Sequence, residues 1–110
     1  YMSNLVKIIQ KYKKRGTKIY GIGAGLMLPL VNYHLKNILN DADGILDDDK
    51  NKINKFYPKM KTKILSLKKT DLKNSIALIC STASSITTRK LAELCRIKNA
   101  KIIIIPSMTL

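Results

Sequence analysis

Apolar residues in this chain fall into short unbroken runs, separated by stretches in which they recur with helical spacing. Leu5, Ile8, Ile9 and Tyr12 recur as one face of a helix over residues 3–15, with Ser3 as its cap and Gly16 as its stop. Lysines crowd its last turn, where cations complement the helix dipole. Lys18 to Ile22 then reads as a short strand buried on both faces. Met27, Leu30, Val31, His34, Leu35 and Ile38 form a second helical stripe, with Pro29 in the first turn, where its missing N–H costs little. Asp41 to Gly44 makes a turn, and Ile45 and Leu46 lead as a second strand into three consecutive acids.

The next stretch, residues 50–63, is a lysine-rich connection without a helical stripe, broken by Pro58. Ile64 and Leu65 form a short extended segment, and Ser66 to Lys73 is a short helix or turn with Ser66 as cap. Ile76 to Cys80 is another buried strand. A polar loop, Ser81 to Ser85, precedes a helix beginning near Ile86, whose inward face carries Leu91, Leu94 and Cys95. Asn99 and Ala100 close a turn before a last strand, Lys101 to Ile105, which Pro106 stops.

Strands that alternate with helices pair in parallel, and unbroken apolar strands need a sheet covered on both faces. The pattern therefore predicts an α/β fold, a small three-layer Rossmann-like sandwich with a mostly parallel sheet. At 110 residues it is a single domain, long enough to bury one core without disulfides. Tyr1 stands ahead of Met2, so the chain is read as a piece of a longer protein.

Composition narrows the partners. The net charge is +14, from 21 basic against 7 acidic residues, which favours anions. Lysine greatly outnumbers arginine, and isoleucine and asparagine are plentiful, so much of the charge reads as solvated surface. A single phenylalanine, five tyrosines and no tryptophan make a poor stacking platform for nucleic acid, and no helix-turn-helix or aromatic RNA motif is present. Nucleic acid is therefore not an expected partner. The longest apolar runs are too short to span a bilayer, and no membrane partner is expected. Cys80 and Cys95 form no CxxC and have one histidine for company, so no metal site is expected and both read as reduced and buried, as in a cytoplasmic protein.

Two features carry candidate chemistry. Gly21, Gly23 and Gly25 follow the first strand, and Ala24 lies among them. Glycines there let a backbone turn sharply near a helix start, whose free N–H groups attract phosphate. Tight packing of strand on helix asks for the same residues. The sixth position of the dinucleotide fingerprint is Leu26 rather than glycine, which argues against NAD or FAD. Asp47 closes the second strand, the place from which an acid reaches ribose hydroxyls. Asp48 and Asp49 read as turn residues bonding nearby N–H groups.

These pieces have a larger pattern. The order Gly-Ile-Gly-Ala-Gly, then Asp47-Asp48-Asp49-Lys50-Asn51-Lys52, then Phe56-Tyr57-Pro58 resembles the C-terminal domain of sugar C-methyltransferases. The matching residues are Gly21, Gly23, Ala24, Asp47, Lys52, Tyr57, Pro58 and Ile64, and the likeness runs from about Leu5 to Pro106. The chain departs from the family at Gly25-Leu26-Met27, where relatives carry Ala-Lys-Gly, and at Lys59, where they carry glycine. The resemblance implies a domain that binds and covers a nucleotide-sugar, packed against other domains of its parent chain. It implies S-adenosylmethionine as the cofactor of the parent protein, bound in a separate domain, with no cofactor and no catalytic residue in this segment. A stand-alone or regulatory nucleotide-binding module of sugar or polysaccharide biosynthesis is the alternative.

The remaining candidates are weaker. Ser81 and Thr82 follow a strand and open a helix, so they can hold a phosphate, although helix capping by Ser84 or Ser85 uses the same chemistry. Lysines of the 50–63 connection supply a positive rim. Tyr20 and Tyr57 are possible base or sugar contacts. Cys80, lacking a neighbouring histidine, reads as core. His34 reads as a histidine at the core edge rather than a general base.

Overall fold

A computed structural model describes residues 2–25, 27–57, 60–80 and 85–106. The chain runs α1 (Met2–Lys14), β1 (Lys18–Ile22), α2 (Met27–His34), a 3-10 turn (Ile38–Asp41), β2 (Gly44–Asp47), β3 (Ile64–Ser66), β4 (Ser75–Ile79), α3 (Ser85–Ile97) and β5 (Ile102–Ile104). The strands form one five-stranded sheet in the order β3-β2-β1-β4-β5, with every pair parallel. The α/β Rossmann-like expectation is met.

Strands β1 and β4 lie at the centre, and β4 is buried at every position. One face of the sheet sends Ile19, Ile45, Ile76 and Leu78 against α1 and α2, through Val6, Ile9, Leu28 and Val31. The other face sends Ile22, Leu46, Ala77 and Ile79 toward Cys95, Leu91 and Leu94 of α3. Period-2 alternation thus feeds two apolar layers from each strand, and this is why the strand sequences show no polar alternation.

Several local expectations are corrected. Helix α1 is already helical at Met2, so Ser3 lies inside its first turn instead of capping it. Val6 and Ile9 are its buried residues, and Ile8 is 45% exposed. A face centred between Val6 and Ile9 leaves Ile8 to one side, because successive residues turn by about 100°. The second stripe is not one continuous helix. It stops at His34, and Lys36 and Asn37 follow with φ of 56° and 60°. His34 is consequently exposed, not at the core edge, and its ring meets Tyr33 edge-on at 5.4 Å. The inward positions pass to Leu35 and Leu39, both fully buried. The segment after β3 contains no helix. Ser66 ends the strand, and its carbonyl accepts the Thr70 hydroxyl at 2.7 Å across a turn.

Asparagine 32 explains where α2 ends. It is buried on a helix face otherwise apolar. Its Oδ1 accepts the buried Leu39 N–H at 2.8 Å, its Nδ2 donates to Asn40 Oδ1 at 2.8 Å, and its carbonyl accepts Asn37 N–H at 2.8 Å. One residue therefore satisfies three polar groups of the reversal, of which the Leu39 N–H is buried away from water. Thr62, also buried, donates its hydroxyl to Leu39 O at 2.7 Å and ties the 50–63 connection to the same reversal.

Candidate functional site

In an open parallel sheet, ligands bind beyond the carboxyl ends of the strands where the strand order reverses. Here that point lies between β1 and β4. The chain leaving β1 turns at Gly23, whose φ of 104° suits glycine and strains other residues. Gly23 N–H donates to Leu46 O at 2.8 Å, continuing the β1–β2 ladder by one step. Gly21 is not part of the bend. It lies within β1, paired with Ile45 and Leu78, and a Cβ there would meet Ile45 Cδ1 at 2.9 Å. Its role is to admit Ile45 and Leu39 to the core.

Asp47 organises the turn. Its Oδ2 accepts Ala24 N–H at 2.7 Å, and its Oδ1 accepts Asp49 N–H at 2.8 Å. Asp49 repeats the motif, with Oδ1 accepting Asn51 N–H at 2.9 Å. These side-chain turns aim the 50–63 connection back across β1. Lys52 then donates its ammonium to Ala24 O at 3.1 Å, and Tyr57 donates its hydroxyl to Gly25 O at 3.0 Å. Burial raises the Tyr57 pKa above its ordinary value.

The expected residues thus meet. Gly23, Ala24, Gly25, Asp47, Lys52 and Tyr57 share one hydrogen-bonded cluster at the carboxyl ends of β1 and β2. Gly21 supports it from below. Ser81 and Thr82 lie outside the described residues. Tyr20 stands apart: it is buried within β1, and burial first, then Asp43 and Asp71, raise its pKa. Asp43 holds β1 from the opposite end, accepting Ile19 N–H at 2.8 Å, a contact with no sequence signature.

Chemically, the cluster keeps unused donors on one ammonium and unused lone pairs on one carboxylate. An ammonium has three donors, and Ala24 takes one of those on Lys52. Each Asp47 oxygen accepts one N–H and keeps a second lone pair. Among the described residues no group of three or more histidine, cysteine, aspartate or glutamate side chains is arranged to hold a metal. Nor, among them, is any helix long and apolar enough to cross a membrane.

Cys80 follows β4 and packs into the core. It is 2% exposed, and burial pushes its thiol up from 9.0 to about 12. Burial likewise raises Cys95 to about 11. Both cysteines are free and buried. A thiol whose folded pKa lies above its unfolded value stabilises the fold fully below the unfolded pKa, near 9, and loses that contribution as pH rises toward the folded one, between about 11 and 12. The native protein is therefore expected to react very slowly with a thiol reagent at pH 8 and the urea-unfolded chain rapidly. Fast native labelling of Cys80 would contradict the core assignment.

No family model, curated protein or solved structure matches the chain.

Proposed function

We propose that this chain is the substrate-binding and covering domain of an S-adenosylmethionine-dependent methyltransferase that acts on a nucleotide-linked sugar, a cytoplasmic enzyme whose methyl-donor and catalytic sites lie in other domains. The observation that carries the reading is the convergence of Lys52 and Tyr57 on the Ala24-Gly25 turn. They are 28 and 32 residues away from it in sequence. Ala24, Lys52 and Tyr57 are among the positions at which the chain resembles the sugar methyltransferases. A turn held in this way is preorganised. The Lys52 ammonium, held at Ala24 O with donors to spare, needs little reordering when a pyrophosphate or a sugar hydroxyl arrives, which removes part of the entropic cost of binding.

The test is calorimetric titration of nucleoside diphosphate sugars into the parent protein, with and without substitutions in the cluster. Saturable binding is expected. Lys52→Ala should weaken it about tenfold, the scale of one lost charged hydrogen bond. Tyr57→Phe, which removes a neutral one, should weaken it only about threefold. Failure of the intact parent protein to bind any such sugar would end this reading.

A further inference from the structure

A separate hollow of about 530 Å3 opens between the turn after β2 and the turn after β3. Its volume falls within the roughly 300–1,000 Å3 typical of small-molecule sites. Leu65 and Ile53 line it with apolar surface, Asp48 and Asn54 bring polar groups from one turn, and Lys68 and Lys69 bring charge from the other. Lys50 adds a third ammonium. None of these residues belongs to the glycine turn.

Both walls are braced. On one side Asn54 N–H donates to Ile64 O at 2.7 Å, with Asn54 itself left-handed at φ 69°. Beyond it, Lys52 N–H donates to Asp49 O at 3.0 Å. On the other side Lys98, at the end of α3, donates its ammonium to both Lys68 O and Thr70 O at 3.0 Å. Leu67, fully buried beneath the turn, donates its N–H to Asp47 O at 3.1 Å. The lysine side chains are free to move, but the backbone that presents them is fixed from two directions.

The other basic hollows differ. The one on α1 is lined by Lys7, Gln10, Lys11, Lys14 and Arg15, all from one helix face and with no apolar floor. That is a solvated helix surface. The one beside β5 also has apolar lining, from Ile103 and Ile105, but its Arg96 is already paired with Glu93. Of these three hollows among the described residues, the one between the two turns joins an apolar floor and an excess of positive charge to walls braced by hydrogen bonds to the backbone.

We propose that this hollow binds a nucleoside phosphate, with the base lying on Leu65 and Ile53 and the phosphate held by Lys50, Lys68 and Lys69. A bare inorganic anion would make no use of the apolar floor, and an uncharged ring none of the ammonium groups. Asp48 and Asn54 are placed to receive base amino groups or ribose hydroxyls. The site is additional to the glycine-turn cluster and does not depend on what that cluster binds.

The experiment is titration of the full chain at low salt with four probes: ADP, UDP, inorganic pyrophosphate and adenosine. At least one diphosphate is expected to bind at least about tenfold more tightly than either pyrophosphate or adenosine, since each half of the ligand adds contacts. The double variant Lys68→Glu/Lys69→Glu should lose about tenfold or more, because two attractions become repulsions. Lys68→Gln/Lys69→Gln serves as a second variant should the charge reversal disturb folding. Lys7→Glu/Lys11→Glu, with the same change in net charge on α1, should leave binding within about twofold. In a Lys52→Ala background the same losses from the variants at 68 and 69 are expected, which separates this site from the glycine turn. Pyrophosphate binding as tightly as the nucleotides, equal losses from the α1 variant, or no loss from either variant at 68 and 69 would overturn the proposal.

Discussion

Replacing Asp47 by alanine is expected to lower the thermal midpoint by about 10 °C, corresponding to a loss of about 2 kcal/mol in a domain of this size. The carboxylate accepts Ala24 N–H and Asp49 N–H, and both are charge-assisted bonds. Alanine leaves both donors unpaired. Ala24 is buried, so its N–H has little water to turn to. The loss should also release the connection that brings Lys52 and Tyr57 to the turn, and nucleotide-sugar binding should fall below detection with it. Asp47→Asn separates the two contributions. Its single carbonyl oxygen can keep Ala24 while losing Asp49, so it should retain about half of the stability. Thermal unfolding followed by circular dichroism reads both variants. A native midpoint for the alanine variant would mean that other contacts hold the turn, and the organising role given to Asp47 would fall.

Asn32→Ala is the second large effect. It removes the acceptor of Leu39 N–H, a buried donor, together with the partner of Asn40. An unsatisfied buried amide costs about 1–3 kcal/mol, and the second lost bond adds to this. A midpoint lowered by about 10 °C or more is expected. Asn32→Asp keeps an oxygen for Leu39 but offers no donor to Asn40 and buries a charge, so it should be no milder than alanine at neutral pH. Amide exchange checks the mechanism directly. The Leu39 amide should lose protection in the alanine variant while the β4 amides keep theirs. Equal loss at both would mean global destabilisation rather than loss of this clamp.

How far these features were legible depends on whether their cause is local. Strands β1 and β4 were readable because residues buried on both faces leave unbroken apolar runs. Asp47 was readable because an acid abruptly ends such a run. Strand β3 was visible only as two apolar residues, Ile64 and Leu65, since a strand of three residues carries almost no periodicity. The stripe from Met27 to Ile38 looked like one helix because Leu35 and Ile38 keep helical spacing after the helix has stopped. What ends it is the Asn32 clamp, and a buried asparagine looks the same in sequence as an exposed one. His34 was misplaced for the same reason. The meeting of Lys52 and Tyr57 with the glycine turn had no signature in spacing and was not foreseen; both residues were singled out only as matches to the sugar methyltransferases. The Lys98 brace and the hollow it supports were not foreseen, because the lysines involved look like any others in so basic a chain.

Strand β5 has a consequence for handling the protein. Ile102–Ile104 is the outermost strand on its side, and among the described residues nothing pairs with its free edge. Four consecutive isoleucines at such a margin are a template for cross-β stacking between molecules. Lys101 at one end and Pro106 at the other act as gatekeepers, one by repulsion and one by denying a hydrogen-bond donor. Fibre growth on prolonged warming should therefore begin at this segment, and high salt, which screens the lysine, should hasten it.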